Sequence, residues 1–290
     1  MLGAAGLAWG VVEAGRYVLR RADVPALPAG SPDVTVLHLS DLHLTPSRRD
    51  RVAWVKDLAA LAPDAVVNTG DNLAHVEAVP VAVEALAPLL DRPGAFVFGS
   101  NDYFEPRPAS PLQYFGGPSR HRSSRRELPH ELLRSILTGS GWVDLNNSRG
   151  TMTAGGLTFD LVGTDDAHLG RDEFPAGAPI AADAVVRLGV THAPYLSVLE
   201  RMRADGASVV LAGHTHGGQV CVPGYGALVT NCDLDTRRVK GLSGWPGRRP
   251  DEGGDSMWLH VSAGLGTSPY APFRFACRPE ATLLTLTAAV

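Results

Sequence analysis

The sequence predicts an α/β domain built on a parallel sheet, and three observations lead there. Short β-branched and apolar runs alternate with segments of helical periodicity between Asp33 and Phe98, in the order strand, helix, strand, helix, strand. That order implies a parallel sheet with helices on its faces. Each run ends at a polar or glycine-containing cluster, and in such sheets ligands gather beyond the carboxyl ends of the strands. The 290 residues, 44 % hydrophobic and 19 % charged, are enough for a substantial core in one large α/β domain or two smaller ones.

The elements follow in order. Met1 to Val12 is apolar, Glu13 interrupts, and Arg16, Arg20 and Arg21 come after. The run is short of the ~20 residues a membrane span needs, and it lacks the basic start of a signal peptide. Two readings stand: a helix packed on the domain, or a helix lying on the inner membrane face with its arginines near anionic headgroups. Pro25 to Pro32 reads as a linker, so residues 1–30 form a helix and linker and 31–290 the main domain. Asp33 to Ser40 is the first strand and Arg51 to Leu61 an amphipathic helix. Ala65 to Thr69 is the second strand, Ala74 to Leu90 a helix with Pro80 near its start or at a break, and Ala95 to Phe98 the third strand.

Residues 103–140 interrupt the pattern. Arg107, Arg120, Arg122, Arg125 and Arg126 make the first part locally basic, either a cap that brings positive charge to an anionic substrate or a solvated loop. Glu131 to Leu137 reads as a short helix. Thr151–Ala154 and Leu157–Val162, joined by Gly155-Gly156, read as a hairpin. Ala184 to Val190 is a strand, Tyr195 to Arg203 a helix, and Ala207 to Leu211 a buried strand. Gly218–Val222, Met257–Ser262 and Ala281–Leu286 are further strands. A net charge of -4 gives no global case for nucleic-acid binding, so an anion site has to be local. Cys221, Cys232 and Cys277 are an odd set with no close C-x-x-C pair, which reads as reduced thiols in a cytoplasmic protein.

Five strand ends carry ligand-type residues: Asp41 with His43, Asp71, Asn101, His192, and His214 with His216. On an extended segment the His214-x-His216 spacing would turn both rings the same way. Five such ends on one sheet edge point to a shared site holding more than one ion. Mixed carboxylate and imidazole donors suit Mn, Fe or Zn better than Mg or Ca. Two ions about 3.5–4 Å apart clamp a phosphorus centre for in-line attack and lower the pKa of a bridging water. A lone carboxylate such as Asp71 can serve both.

The series Asp41-x-His43, Gly70-Asp71, Gly99-Ser-Asn-Asp102, His192 and Gly213-His-x-His216 resembles the calcineurin-like metallophosphoesterases, over nearly the whole chain from Val34. Gly-His-Thr-His-Gly-Gly-Gln is similar to a bacterial branch of them. The resemblance implies a four-layer α/β/β/α sandwich. It implies that Asp41, His43 and His216 hold one ion, that Asp71 bridges, and that His192, His214 and an amide oxygen hold the second. It further implies hydrolysis of a phosphodiester or pyrophosphate, lipid-linked if the first helix binds membrane, through a metal-bridging hydroxide.

The third motif departs from the family's Gly-Asn-His-Asp/Glu, where Asn binds metal and His assists the leaving group. Gapless matching puts Ser100 at the Asn position and Asn101 at the His position, whereas a shift by one residue makes Asn101 the ligand, which we favour because Ser is a poor metal ligand. General acid catalysis contributes ~10²–10⁴-fold, so the departure implies a weaker enzyme, a good leaving group, or a substitute donor. His168 after the hairpin and His121 in the insert are the candidates. The competing reading is a metal-binding scaffold of the same fold with little catalysis.

Overall fold

The computed structural model describes residues 2–108 and 125–289. Two six-stranded sheets stack face to face between helices. The first has the order β1-β14-β2-β3-β4-β5, with β1 Val18–Leu27, β2 Val34–Leu39, β3 Ala65–Asn68, β4 Gly94–Phe96, β5 Val143–Asp144 and β14 Glu280–Ala288. The second has the order β12-β13-β9-β8-β7-β6, with β6 Ser148–Ala154, β7 Leu157–Gly163, β8 Ala184–Val190, β9 Val209–Ala212, β12 Gly241–Trp245 and β13 Met257–Val261. A small pair, β10 Cys221–Val222 and β11 Gly226–Ala227, stands apart from both.

Alternation along the strands explains the layering, because successive strand side chains point to opposite faces. Val36, Val67 and Val97 face Leu161, Leu188, Leu211 and Trp258 in the core between the sheets. Their neighbours Leu37, Val66, Phe96 and Phe98 face outward. There they meet Val52 and Val55 of α2 (Arg49–Asp57), Ala82 and Leu86 of α3 (Val79–Leu86), and Leu133 and Leu137 of α5 (His130–Gly139). On the far side α6 (Leu196–Ala204) lays Val198, Leu199 and Met202 on Val210, Leu259 and Val261. The order is therefore helices, sheet, sheet, helix, as the four-layer expectation has it.

β2, β3, β4 and β5 run parallel, and so do β7, β8, β9 and β13. Both sets send their carboxyl ends to one edge of the sandwich. The hairpin β6–β7 pairs antiparallel through all seven of its residue partners, from Ser148 with Gly163 to Ala154 with Leu157.

The structure corrects three local readings. Pro25 to Pro32 is a linker only after Leu27, because β1 (Val18–Leu27) joins the first sheet as an edge strand parallel to β14. Pro25 is tolerated there since an edge strand leaves one row of N–H positions unused. The helix expected from Ala74 starts at Val79 with Pro80 in its first turn, where the missing N–H costs nothing. The strand expected over Gly218–Val222 is a 3-10 turn at His216–Gly218 followed by the two residues of β10. α1 (Leu2–Glu13) leans on the domain, with the Gly10 carbonyl accepting from Arg274 N at 2.9 Å and the Glu13 carboxylate from Cys277 N at 2.7 Å. No helix among the described residues is long and apolar enough to cross a membrane.

Candidate metal centre

The site lies where the carboxyl ends of both sheets meet, on loops that turn sharply. Asp41, His43, Asp71, His214 and His216 all have positive φ, between 41° and 67°. Side-chain-bearing residues adopt this left-handed region at a cost, and such strain clusters where function holds it in place. It also overturns the extended reading of His214-x-His216: with both backbones left-handed the two rings diverge. The His214 ring packs edge-on to His192, centroids 5.2 Å apart, whereas His216 lies against His43 at 5.0 Å. Gly213 permits this turn, since a Cβ there would sit 1.9 Å from Ser40 Oγ and 2.7 Å from Asp41 Oδ2.

Asp41, His43, Asp71 and His216 converge so that one donor atom of each lies within 4.8 Å of the others. His43 Nε2 is 3.2 Å from His216 Nε2, 3.4 Å from Asp71 Oδ2 and 3.9 Å from Asp41 Oδ1. His216 Nε2 is 3.4 Å from Asp41 Oδ1. Donors about 2.0–2.2 Å from one shared ion lie ~3.0–3.5 Å from each other, so these spacings match the edges of a coordination polyhedron. Asp41 Oδ2 is occupied, accepting from Ser40 Oγ at 2.5 Å and His214 N at 3.1 Å. Its other oxygen, Oδ1, is buried with no hydrogen-bond partner and faces the two imidazoles. An orphaned carboxylate oxygen of this kind fits a cation.

The Asp71 carboxylate also turns toward His192. Its Oδ2 faces His43, and its Oδ1 lies 3.5 Å from His192 Nε2, which is also buried without a hydrogen-bond partner. His192 Nδ1 is bonded to the Thr69 carbonyl at 2.7 Å, so that nitrogen carries the proton and Nε2 is the donor atom left for a metal. The same logic holds for His216, whose Nδ1 meets the Gly266 carbonyl at 3.1 Å, and for His214, whose Nε2 meets the Asn231 carbonyl at 3.1 Å.

Asn101 reaches the same carboxylate. Its backbone N–H donates to Asp71 Oδ1 at 2.7 Å and its side-chain amide to Oδ2 at 2.6 Å, while Ser100 Oγ is 3.4 Å from that amide. Asp102 holds the motif in place by accepting from Asp71 N at 2.7 Å, Asn72 N at 2.8 Å and Gly99 N at 3.0 Å. His168 stands on a 3-10 turn with its ring 4.7 Å from that of His214 and its Nδ1 3.1 Å from Tyr195 Oη. His121, Arg120 and Arg122 lie outside the described residues. The insert's base is an antiparallel contact, with Glu105 N donating to the Arg126 carbonyl and Leu128 N to the Tyr103 carbonyl, each at 2.8 Å.

The charges suit a cation. Burial pushes the Asp41 and Asp71 carboxyls up, but surrounding histidines outweigh it and hold both below the usual carboxylate range. Burial pushes His216 down to about 3 and His214 to about 4, and also lowers His43. These three rings are thus neutral and able to coordinate near neutral pH. His192 goes the other way: burial lowers it, yet the Asp71 carboxylate raises it well above the ordinary value.

Two buried arginines behind the site escaped the reading of the sequence. Arg51 Nη1 donates to the carbonyls of Leu42 at 2.5 Å and His43 at 3.1 Å. Its sequence signal is position: Arg51 lies four residues before Val55, on the buried stripe of α2. Arg274, in the long loop before β14, has no comparable signal. Asp166 is buried as well, with Oδ1 accepting from His168 N at 3.0 Å and Oδ2 without a hydrogen-bond partner.

Residues 34–218 match the calcineurin-like phosphoesterase family. An Escherichia coli (strain K12) protein named Phosphodiesterase YaeI is 27 % identical over 281 residues, covering 94 % of this chain and 90 % of that one. The Bacillus subtilis (strain 168) metallophosphoesterase YkuE is 24 % identical, covering 90 % and 81 %. A metallophosphoesterase of Aquifex aeolicus (strain VF5) is 26 % identical, covering 90 % and 87 %.

Proposed function

The chain belongs to the calcineurin-like phosphoesterase family and is a metal-dependent hydrolase of phosphate esters, and on that premise we propose that it uses two ions to cleave a phosphodiester or pyrophosphate. One observation carries the two-ion reading. The single Asp71 carboxylate turns Oδ2 toward His43 at 3.4 Å and Oδ1 toward His192 at 3.5 Å. A donor ring at each oxygen of one carboxylate supports a bridging role.

In this reading Asp41, His43 and His216 hold the first ion, His192 and His214 the second, and Asp71 both. The O and N ends of an amide have the same shape, so turning Asn101 over would offer an oxygen beside Asp71 Oδ2, the oxygen that faces His43, as a further donor on the bridging carboxylate. Transition ions such as Mn, Fe or Zn, when bound there, polarise the ester and generate the nucleophile near neutral pH. The residues do the rest. Asp41 Oδ2, fixed by Ser40 and His214 N–H, keeps its other oxygen aimed inward. Asp102 ties the β3 and β4 loops so that Asp71 and Asn101 cannot separate.

Asn101 supplies an N–H but no titratable proton to a departing oxygen. A good leaving group such as phosphate offsets this, whereas His168, which burial pushes down to about 3, is neutral near neutral pH and a poor substitute donor. A His214→Ala, His216→Ala double variant is expected to lose hydrolysis of bis-p-nitrophenyl phosphate; retained turnover would overturn the site. The alternative of a metal-binding scaffold predicts stoichiometric metal with no turnover of any diester, monoester or pyrophosphate.

A further part of the proposal is contact of α1 with a lipid surface. What supports it is α1, where Leu7, Trp9, Val11 and Val12 are each at least 45 % exposed. Liposome flotation of a Leu7→Ser, Trp9→Ser variant is the test, since truncation to Ala29 would also strip β1 from its sheet. Equal flotation of variant and parent would remove the idea.

A further inference from the structure

Arg274 is fully buried, and among the described residues no ion pair involves it. A buried charge without a counter-ion is costly unless hydrogen bonds replace its water. Here they are all backbone carbonyls. Nη1 donates to the His216 carbonyl at 3.2 Å, and Nη2 faces those of Ala263 at 2.7 Å, Gly266 at 2.7 Å and Gly264 at 3.1 Å.

These carbonyls belong to the two walls of the first metal subsite. The loop Ala263 to Gly266 runs along Asp41, with Leu265 N donating to the Ser40 carbonyl at 3.1 Å and Gly266 N to that of Asp41 at 2.5 Å. The approach is so close that a Cβ on Gly264 would lie 2.5 Å from Asp41 Cβ. On the other wall the Gly266 carbonyl also faces His216 Nδ1 at 3.1 Å. Arg274 Nη2 is 3.3 Å from that same nitrogen. Its two hydrogens are already matched by three carbonyls, and Gly266 O can only accept. Nδ1 therefore carries the proton, leaving the Nε2 lone pair pointing at Asp41 and His43.

We propose that Arg274 is a positioning residue for the first metal: its guanidinium locks the Gly266 carbonyl, which fixes the His216 ring and its Nδ1–H tautomer, and so sets affinity at the Asp41–His43–His216 subsite. This rests on the reading of His216 as a ligand of the first ion. A planar fork with five donors can span both walls, whereas a lysine ammonium cannot. Outer partners of metal-bound histidines typically change affinity ~10–100-fold.

The test uses the full chain, metal-free and then titrated with Mn and with Co against a competing chelator. Arg274→Lys is expected to weaken one of the two binding steps by ~10-fold or more and leave the other unchanged. Histidine-ring NMR of metal-free protein should show His216 as Nδ1–H in the parent and as a tautomer mixture in the variant. Arg274→Ala should lose more, and added guanidinium should restore both the affinity and the tautomer. Arg187→Lys, at a buried arginine remote from the site, is the comparison and should leave both steps alone. If Arg274→Ala does not fold, Arg274→Lys and the ring NMR still decide. Unchanged affinity and tautomer in Arg274→Lys would overturn the proposal, and so would equal weakening of both steps. Absence of metal binding by the parent would instead sink the two-ion reading, while the metal-free tautomer comparison would still judge Arg274.

Discussion

Replacing Gly99 by alanine should disable the centre without changing any ligand. A Cβ built on Gly99 lies 2.3 Å from Asp71 Oδ1, 2.5 Å from His192 Nε2 and 2.6 Å from His192 Cδ2. Comfortable contacts are ~3.5 Å, so the methyl group must drive Asp71 and His192 apart from it by about 1 Å. The backbone is not the obstacle, because Gly99 has φ -114° and ψ 177°, an extended conformation alanine adopts freely. Misplacement of reacting groups by about 1 Å costs ~10²-fold in rate, and overpacking costs about 1–3 kcal/mol. Loss of the favourable glycine N-cap of the following short helix, α4 (Ser100–Tyr103), adds a smaller penalty. The comparison is Gly139→Ala, at the end of α5, where a Cβ would meet nothing within 4 Å. Steady-state hydrolysis of bis-p-nitrophenyl phosphate and metal content by inductively coupled plasma mass spectrometry should show Gly99→Ala with kcat/KM down ~10²-fold and less than the parent's metal. Gly139→Ala should match the parent. Gly99→Ala with activity within about threefold of the parent and full metal would refute the placement of Asp71 and His192 as ligands.

Three further outcomes follow from the same structure. Restoring Ser100→Asn together with Asn101→His should raise kcat on a substrate with a poor leaving group by ~10²–10⁴-fold and do far less for p-nitrophenyl esters; equal gains on both would argue against a leaving-group role at position 101. In the core between the sheets, His38 Nδ1 meets His260 Nδ1 at 2.8 Å, and burial pushes His260 down to about 4 and lowers His38 as well. The unfolded chain then takes up protons first as pH falls from about 6.5, so stability present above that pH is lost toward pH 4, by about 3 kcal/mol from His260. Urea unfolding of metal-free protein across that range should show a shallower slope for His260→Gln, and identical slopes would contradict it. Arg187→Met strands the buried carboxylate of Asp160, bonded to the guanidinium at 2.7 Å, while Asp205 keeps its pair with Arg149. It should cost about 3–5 kcal/mol with metal content intact; a wild-type melting temperature would show that this network contributes nothing.

The sequence made the first sheet's parallel half and the polar turns at its carboxyl edge legible because β2, β3 and β4 are buried on both faces. Their runs are therefore mostly apolar and lead into the polar turns at Asp41, Asp71 and Gly99. β1 was hidden for the opposite reason: Arg20, Arg21 and Pro25 break its pattern, and its partner β14 lies at the other end of the chain. β12 was hidden too, since Gly241-Leu-Ser-Gly-Trp245 has no period and takes its register from β13. Candidate donors could be read from residue type at the strand ends, whereas ring direction could not. Left-handed turns at His214 and His216 are set by Gly213 wedging against Ser40 and Asp41, a contact 173 residues distant in sequence. Arg51 and Arg274 act through carbonyls, which carry no residue signature at all.

The most direct test of the central claim is metal stoichiometry measured beside turnover on the parent protein and on Asp71→Asn. If Asp71 bridges, the parent holds two transition-metal ions per chain, loses diester hydrolysis on chelation and regains it on reloading, and Asp71→Asn loses both ions' tight binding together. A parent that hydrolyses diesters equally well without metal, or an Asp71→Asn variant that keeps two ions and full turnover, would contradict it.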